Sequence, residues 1–119
     1  MSLKFDIRHV DSVAIIDLSG RITMGEAAGM LRDTIKELIA EDHKNILLNL
    51  ENVSYIDSSG LGELVGAFAT VGNRGGKLKL LHLQKRIKEL MQVTKLLTIF
   101  DVYEDEGLAV RSFGKAATA

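Results

Sequence analysis

The aliphatic run Ile46-Leu47-Leu48-Asn49-Leu50 constrains this chain more than any other stretch. It is too short for a helix and too continuously apolar for a strand with one wet face, so it reads as a strand covered on both sides. Such a strand belongs in the middle of a sheet. The chain then passes through Val53-Ser54-Tyr55-Ile56 and breaks into Asp57-Ser58-Ser59-Gly60 ahead of a helix-like pattern, which puts two hydroxyls at a helix start. The first N–H groups of a helix have no intrahelical partner and stand at the positive end of its dipole, so a phosphate on either serine would meet donors and a favourable potential.

The remaining periodicities build one α/β layer structure. Leu3, Phe5 and Ile7 alternate with Lys4, Asp6 and Arg8, and Asp11-Ser12 turns the chain into Val13-Ala14-Ile15-Ile16, a hairpin pattern. Thr23 stands three residues before Glu26, the spacing of a capping box, and apolar residues at Met24, Ala27, Ala28, Leu31, Ile35, Leu38 and Ile39 predict the first helix. Leu61, Leu64, Val65, Phe68 and Val71 predict a second, closed by Gly72-Asn73-Arg74-Gly75-Gly76. Leu78, Leu80 and Leu81 suggest a strand, and Ile87, Leu90 and Met91 a short third helix fading near Thr94. A last short strand falls within Ile99 to Tyr103, and Asp105 is placed to cap a weak helix through Leu108, Ala109 and Val110. The expectation is a mixed sheet that opens with an antiparallel hairpin, with about four strands, a short fifth and about four helices. A single domain over 1–119, with an ordered core of about 3–113, accounts for the length of 119 residues.

Composition narrows the chemistry. Cysteine is absent, which excludes thiolate catalysis and disulfides and suits a reducing, cytoplasmic setting. No segment approaches the ~20 apolar residues of a membrane span, and the amino end has no signal-peptide pattern, so no membrane insertion is expected. With 15 basic and 16 acidic side chains the formal net charge is −1, giving no overall drive toward nucleic acid. The basic residues Arg74, Lys77, Lys79, Lys85, Arg86 and Lys88 fall on different elements without interleaved aromatics and read as a solvated face. His9, His43 and His82 show no ligand spacing and read as surface or sheet-edge residues, and Asp101, Glu104, Asp105 and Glu106 as a polar turn with a helix cap. No metal and no cofactor are therefore assigned.

Ile56-Asp57-Ser58-Ser59-Gly60-Leu61-Gly62, between an aliphatic strand and an amphipathic helix and with Phe100-Asp101-Val102-Tyr103 toward the end, resembles the phosphorylation loop of the STAS domains. The chain is most similar to the stand-alone bacterial anti-sigma factor antagonists, over nearly its whole length. The resemblance implies that Ser58 accepts phosphate from a partner that is both serine kinase and anti-sigma factor. The unphosphorylated domain would capture that partner, the phosphorylated one would be released, and a serine phosphatase would reset it. It also implies a docking surface of Asp57, Ser58, Ser59, Gly60, Gly62 and Glu63, with Arg21 and Thr23 beside it. Two departures stand out: Thr23 occupies the region where many members carry an acidic residue for the kinase, and Lys95 follows Thr94 where the family favours glycine. Weak self-association stays open.

Alternatives rest on the same residues. Asp57, Ser58 and Ser59 also suit an ordinary N-cap. A serine hydrolase would need the Gly-x-Ser-x-Gly elbow, which is missing, so the protein is expected to be a substrate and binder and not an enzyme. A STAS module of a signalling scaffold or of a lipid-transport ATPase complex, without sigma control, is the second reading.

Overall fold

The computed structural model describes residues 3–118. Strands β1 (Lys4–Val10) and β2 (Val13–Ile22) form the antiparallel hairpin, turned by Asp11 in the left-handed region at φ 54°. Helix α1 (Glu26–Ala40), strand β3 (Asn45–Ile56), helix α2 (Ser58–Asn73), strand β4 (Lys77–Leu81) and helix α3 (Lys85–Val93) follow. A 3-10 turn over Leu96–Thr98, the two-residue strand β5 (Val102–Tyr103) and helix α4 (Glu106–Thr118) complete the described residues. The five strands lie in the order β1-β2-β3-β4-β5, antiparallel for the first pair and parallel for the rest. The expected mixed sheet and opening hairpin are thus observed, and β3 takes the central place that its aliphatic run demands.

The sheet has two unequal sides. Ala14, Ile16, Leu18 and Ile22 of β2 and Ile46, Leu48, Leu50, Val53 and Ile56 of β3 pack in a main core with Leu31, Ile35 and Leu38 of α1, Leu64, Ala67 and Val71 of α2, and Ile87 and Met91 of α3. Val13, Ile15, Leu47 and Leu81 point the other way and meet Ala109, Val110 and Phe113 of α4 in a smaller core. Strict alternation would send residues 50 and 53 to opposite faces, yet both Leu50 and Val53 reach the main core. Irregular pairing of β2 with β3 between Asp17 and Ser19, and again between Gly20 and Arg21, absorbs the change of phase. That irregularity keeps the ends of both strands, Ile22 and Ile56, facing the helices that carry the site.

Several expectations are corrected. Thr23 does not cap α1: the N-cap is Gly25, at φ 94° and ψ −130°, with no side-chain hydrogen bond, and Met24 is 73 % exposed instead of joining the helix's apolar stripe. The reason is that β2 runs on to Ile22, the Met24 N–H is given to Asp57 at the start of α2, and the helix starts at Glu26. Lys79 is buried, not part of a solvated face; its ammonium donates to Ser112 Oγ at 2.9 Å and lies over the Phe113 ring at 4.8 Å. His9, exposed on the edge strand β1, and His43, in the loop before β3, keep the surface and sheet-edge places expected of them, and their rings approach to 4.9 Å. Lys95, after the end of α3, adopts the left-handed conformation (φ 67°, ψ 14°) that glycine favours, without being the residue that makes this easy. Asp105 does cap α4, accepting from the Leu108 N–H at 2.9 Å.

Candidate functional site

The site forms where β2 and β3 end side by side. Only Asp57 separates β3 from α2, and its extended backbone (φ −93°, ψ −176°) turns the strand directly into the helix. One carboxylate oxygen accepts from the Gly60 N–H at 2.8 Å, which makes Asp57 the N-cap of α2. The other accepts from the Met24 N–H at 3.0 Å and so ties the β2–α1 turn to the same helix start. The Asp57 N–H donates to the Ile22 carbonyl at 3.2 Å, closing the bracket from the backbone side. These backbone donors, Gly60 first and Met24 second, hold the Asp57 carboxyl below its usual range. Asp57 is therefore a structural anion, occupied on both oxygens.

Ser58 is the first residue of α2 and its side chain is exposed, whereas Ser59 is partly covered and Gly60 is buried. Gly60 is required by contact: a Cβ there would stand 2.2 Å from the Ile22 carbonyl oxygen and 2.8 Å from Ile56 Cγ2. The closeness of α2 to the end of β2 thus depends on a missing side chain. Gly62 meets nothing within 4 Å, so its lack of a side chain leaves open surface on the first turn. Glu63 pairs with Arg32 of α1 at 2.8 Å, linking the two helices. Arg21 stacks its guanidinium over Tyr55, 4.7 Å from the ring centroid, and Thr23 lies partly covered in the following turn, its carbonyl accepting from the Ala28 N–H at 3.1 Å.

Beside Ser58 runs a groove of about 740 Å³ between the end of β3, the start of α2 and the outer side of α3. Its walls are mostly apolar, with Tyr55, Ile56, Leu61, Ile87, Leu90 and Val93, and both Asp57 and Ser58 belong to its edge. Val93 is 80 % exposed. Sequence reasoning missed this groove. The available signal was on α3, where Ile87 and Met91 form an i, i+4 core pair while Leu90 and Val93 form a second, i, i+3 pair that the core does not need. Among the described residues no group of three or more His, Asp or Glu side chains stands close enough to share a metal ion, and no helix is long and apolar enough to cross a membrane.

A five-stranded mixed sheet that opens with an antiparallel hairpin and carries, among the described residues, four helices defines the fold class of this domain. The STAS domain family model matches residues 4–109, and the chain belongs to that family. It is 34 % identical over 102 residues to the anti-sigma-B factor antagonist of Bacillus subtilis (strain 168), covering 86 % of this chain and 92 % of that protein. Its fold superposes on an anti-sigma factor antagonist from Mycobacterium paratuberculosis with a TM-score of 0.83 at 20 % identity, covering 94 % of each chain. It superposes also on the Bacillus cell fate determinant SpoIIAA in the phosphorylated form, with a TM-score of 0.72 at 23 % identity, over 92 % of this chain and 98 % of that one.

Proposed function

We propose that this protein is an anti-sigma factor antagonist whose switch is phosphorylation of Ser58. The observation that carries the reading is the exposed Ser58 at the first position of a helix whose cap, Asp57, is already saturated by backbone donors. The Ser58 hydroxyl is thereby free of capping duty. The similarity to the Bacillus subtilis anti-sigma-B factor antagonist supports the same reading. In it, the protein acts in the cytoplasm as substrate and binder and not as a catalyst.

In the unmodified state, Ser58, Ser59, the open surface at Gly62 and the apolar groove offer one continuous face to a protein that is both anti-sigma factor and serine kinase. Phosphoryl transfer forms a bond between Ser58 Oγ and the γ-phosphorus of ATP as the bond to ADP breaks, and the hydroxyl proton passes to a base on the kinase. The phosphate adds about −1.5 to −2 charges and three acceptor oxygens. Orphan N–H groups at the start of α2 accommodate it within this protein, while the same charge next to Asp57 repels and desolvates badly against an interface fitted to a neutral serine. Release then needs no rearrangement of the domain. A serine phosphatase restores the capturing form.

The test is incubation with the cognate kinase and ATP, followed by site mapping by mass spectrometry. One phosphate on Ser58, lost in Ser58→Ala, is expected; a phosphate elsewhere, or none from a kinase active on a control substrate, refutes the site. Ser58→Ala is expected to keep kinase binding and lose ATP-driven release. Failure to bind any anti-sigma kinase while capturing a transporter subunit would favour a STAS module outside sigma control.

A further inference from the structure

We propose that two copies of this protein pair through β1, with a two-fold axis at Ile7 that sets each Asp6 opposite the partner's Arg8. β1 is the outermost strand on one side of the sheet, so among the described residues the polar backbone groups on its far edge have no strand beside them. It is seven residues long and evenly paired with β2 throughout, while the other edge of the sheet is the two-residue β5. Phe5 and Ile7, paired with Leu18 and Ile16 on the main-core side, are 36 % and 38 % exposed. Edge strands of this kind carry charge to prevent promiscuous pairing, and the charges here discriminate between registers.

A two-fold axis normal to the sheet pairs residues whose side chains share a face. With the axis at Asp6, that carboxylate meets its own copy and Lys4 meets the partner's Arg8. With the axis at Arg8, two guanidinium groups collide. An axis at Phe5 also sets Lys4 opposite the partner's Asp6, but it pairs only residues 3–7, of which Leu3 lies outside the strand and is buried in the main core, so it is rejected on length and not on charge. The axis at Ile7 uses the whole of β1: Ile7 meets the partner's Ile7, Phe5 the partner's His9, and Asp6 the partner's Arg8, twice over. Asp6 has a reason to accept this partner, since it lies across from Asp17 within its own chain and, among the described residues, has no cation within 4 Å. Arg8 donates four N–H bonds to Asp17 and Glu106, and a guanidinium has five to give. The fifth remains for the incoming carboxylate.

Sedimentation equilibrium at rising protein concentration, to about 1 mM, is the first measurement. The mass is expected to climb from 13.0 kDa toward twice that value, and to do so less at high salt. Asp6→Arg, which sets Arg against Arg at two places, should weaken association by about tenfold or more without changing the circular dichroism of the monomer. Because the chain has no cysteine, Ile7→Cys reports the axis directly. Mild oxidation should link Ile7→Cys into a covalent dimer faster than Phe5→Cys or His9→Cys, because only residue 7 faces itself. A protein that stays monomeric throughout, an Asp6→Arg variant that associates equally well, or crosslinking without preference for residue 7 overturns the proposal.

Discussion

Lys95 and Gly60 illustrate opposite residue-scale solutions to backbone geometry. Lys95 holds a left-handed conformation that costs an L-residue roughly 1–2 kcal/mol, and glycine there recovers part of this after its larger unfolded-state entropy is counted. Lys95→Gly is expected to raise stability by about 0.5–1 kcal/mol in urea unfolding, and a loss of stability would show that the lysine makes a compensating interaction. At Gly60 the direction reverses. Gly60→Ala forces a Cβ against the Ile22 carbonyl and should cost about 1–3 kcal/mol or more, whereas Gly62→Ala, with empty space around it, should stabilise α2 by up to about 1 kcal/mol. If Gly62 is the partner's landing surface, the same Gly62→Ala weakens partner binding while raising stability, a split that separates function from folding.

At the scale of elements, α4 covers the second face of the sheet, and its Phe113 packs over the buried Lys79 ammonium. Phe113→Ala removes the largest side chain of that layer and should cost about 3–5 kcal/mol, read as a shift of the urea midpoint. Lys79 presents a different balance. Its ammonium has one hydrogen bond to Ser112, an Asp101 carboxylate at 3.8 Å and the ring faces of Phe113 and Tyr103 at 4.8 and 5.7 Å, which offset its desolvation only in part. Ser112 keeps its own bond to the Ala109 carbonyl at 2.6 Å when the lysine is replaced. Lys79→Met is therefore expected to leave the domain at least as stable as before. The start of α4 is tied to the hairpin by Arg8, which bridges Asp17 and Glu106 at 2.6 Å each.

For the whole molecule, three carboxyls set the acid limit. Asp17 and Glu106 are held below their ordinary values, 3.8 and 4.5, first of all by the Arg8 guanidinium, and Asp57 below 3.8 by backbone N–H donors. A depressed pKa means that the folded state binds fewer protons than the unfolded one. The stabilisation is complete above the unfolded values and drains as pH falls through them toward the lower folded ones. Thermal unfolding midpoints should thus be nearly level from neutral pH to about 5 and fall steeply below about 4. Asp17→Asn should flatten that fall, and an unchanged profile would assign the acid sensitivity to other groups. The groove beside Ser58 makes a further prediction, conditional on the proposed partner. Val93→Lys, at a position 80 % exposed, should leave the thermal midpoint unchanged and weaken capture of the anti-sigma kinase by about tenfold or more.

Periodicity alone determined the α/β layering, the central place of β3, the opening hairpin and the position of Ser58 at a helix start, because these follow from local patterns of two and 3.6 residues. The same local view misplaced the start of α1, since Thr23 and Glu26 have capping-box spacing but Met24 between them donates its N–H to Asp57 and Gly25 takes the N-cap position. Burial of Lys79 and the contact of His9 with His43 were invisible because each joins side chains from elements far apart in the chain, and of the apolar groove only its α3 wall, Leu90 and Val93, left a local signal. Tertiary packing alone decided that Gly60 must be bare, that Asp57 is already engaged on both oxygens, and that the hydroxyl of Ser58 is left facing solvent at the groove's edge.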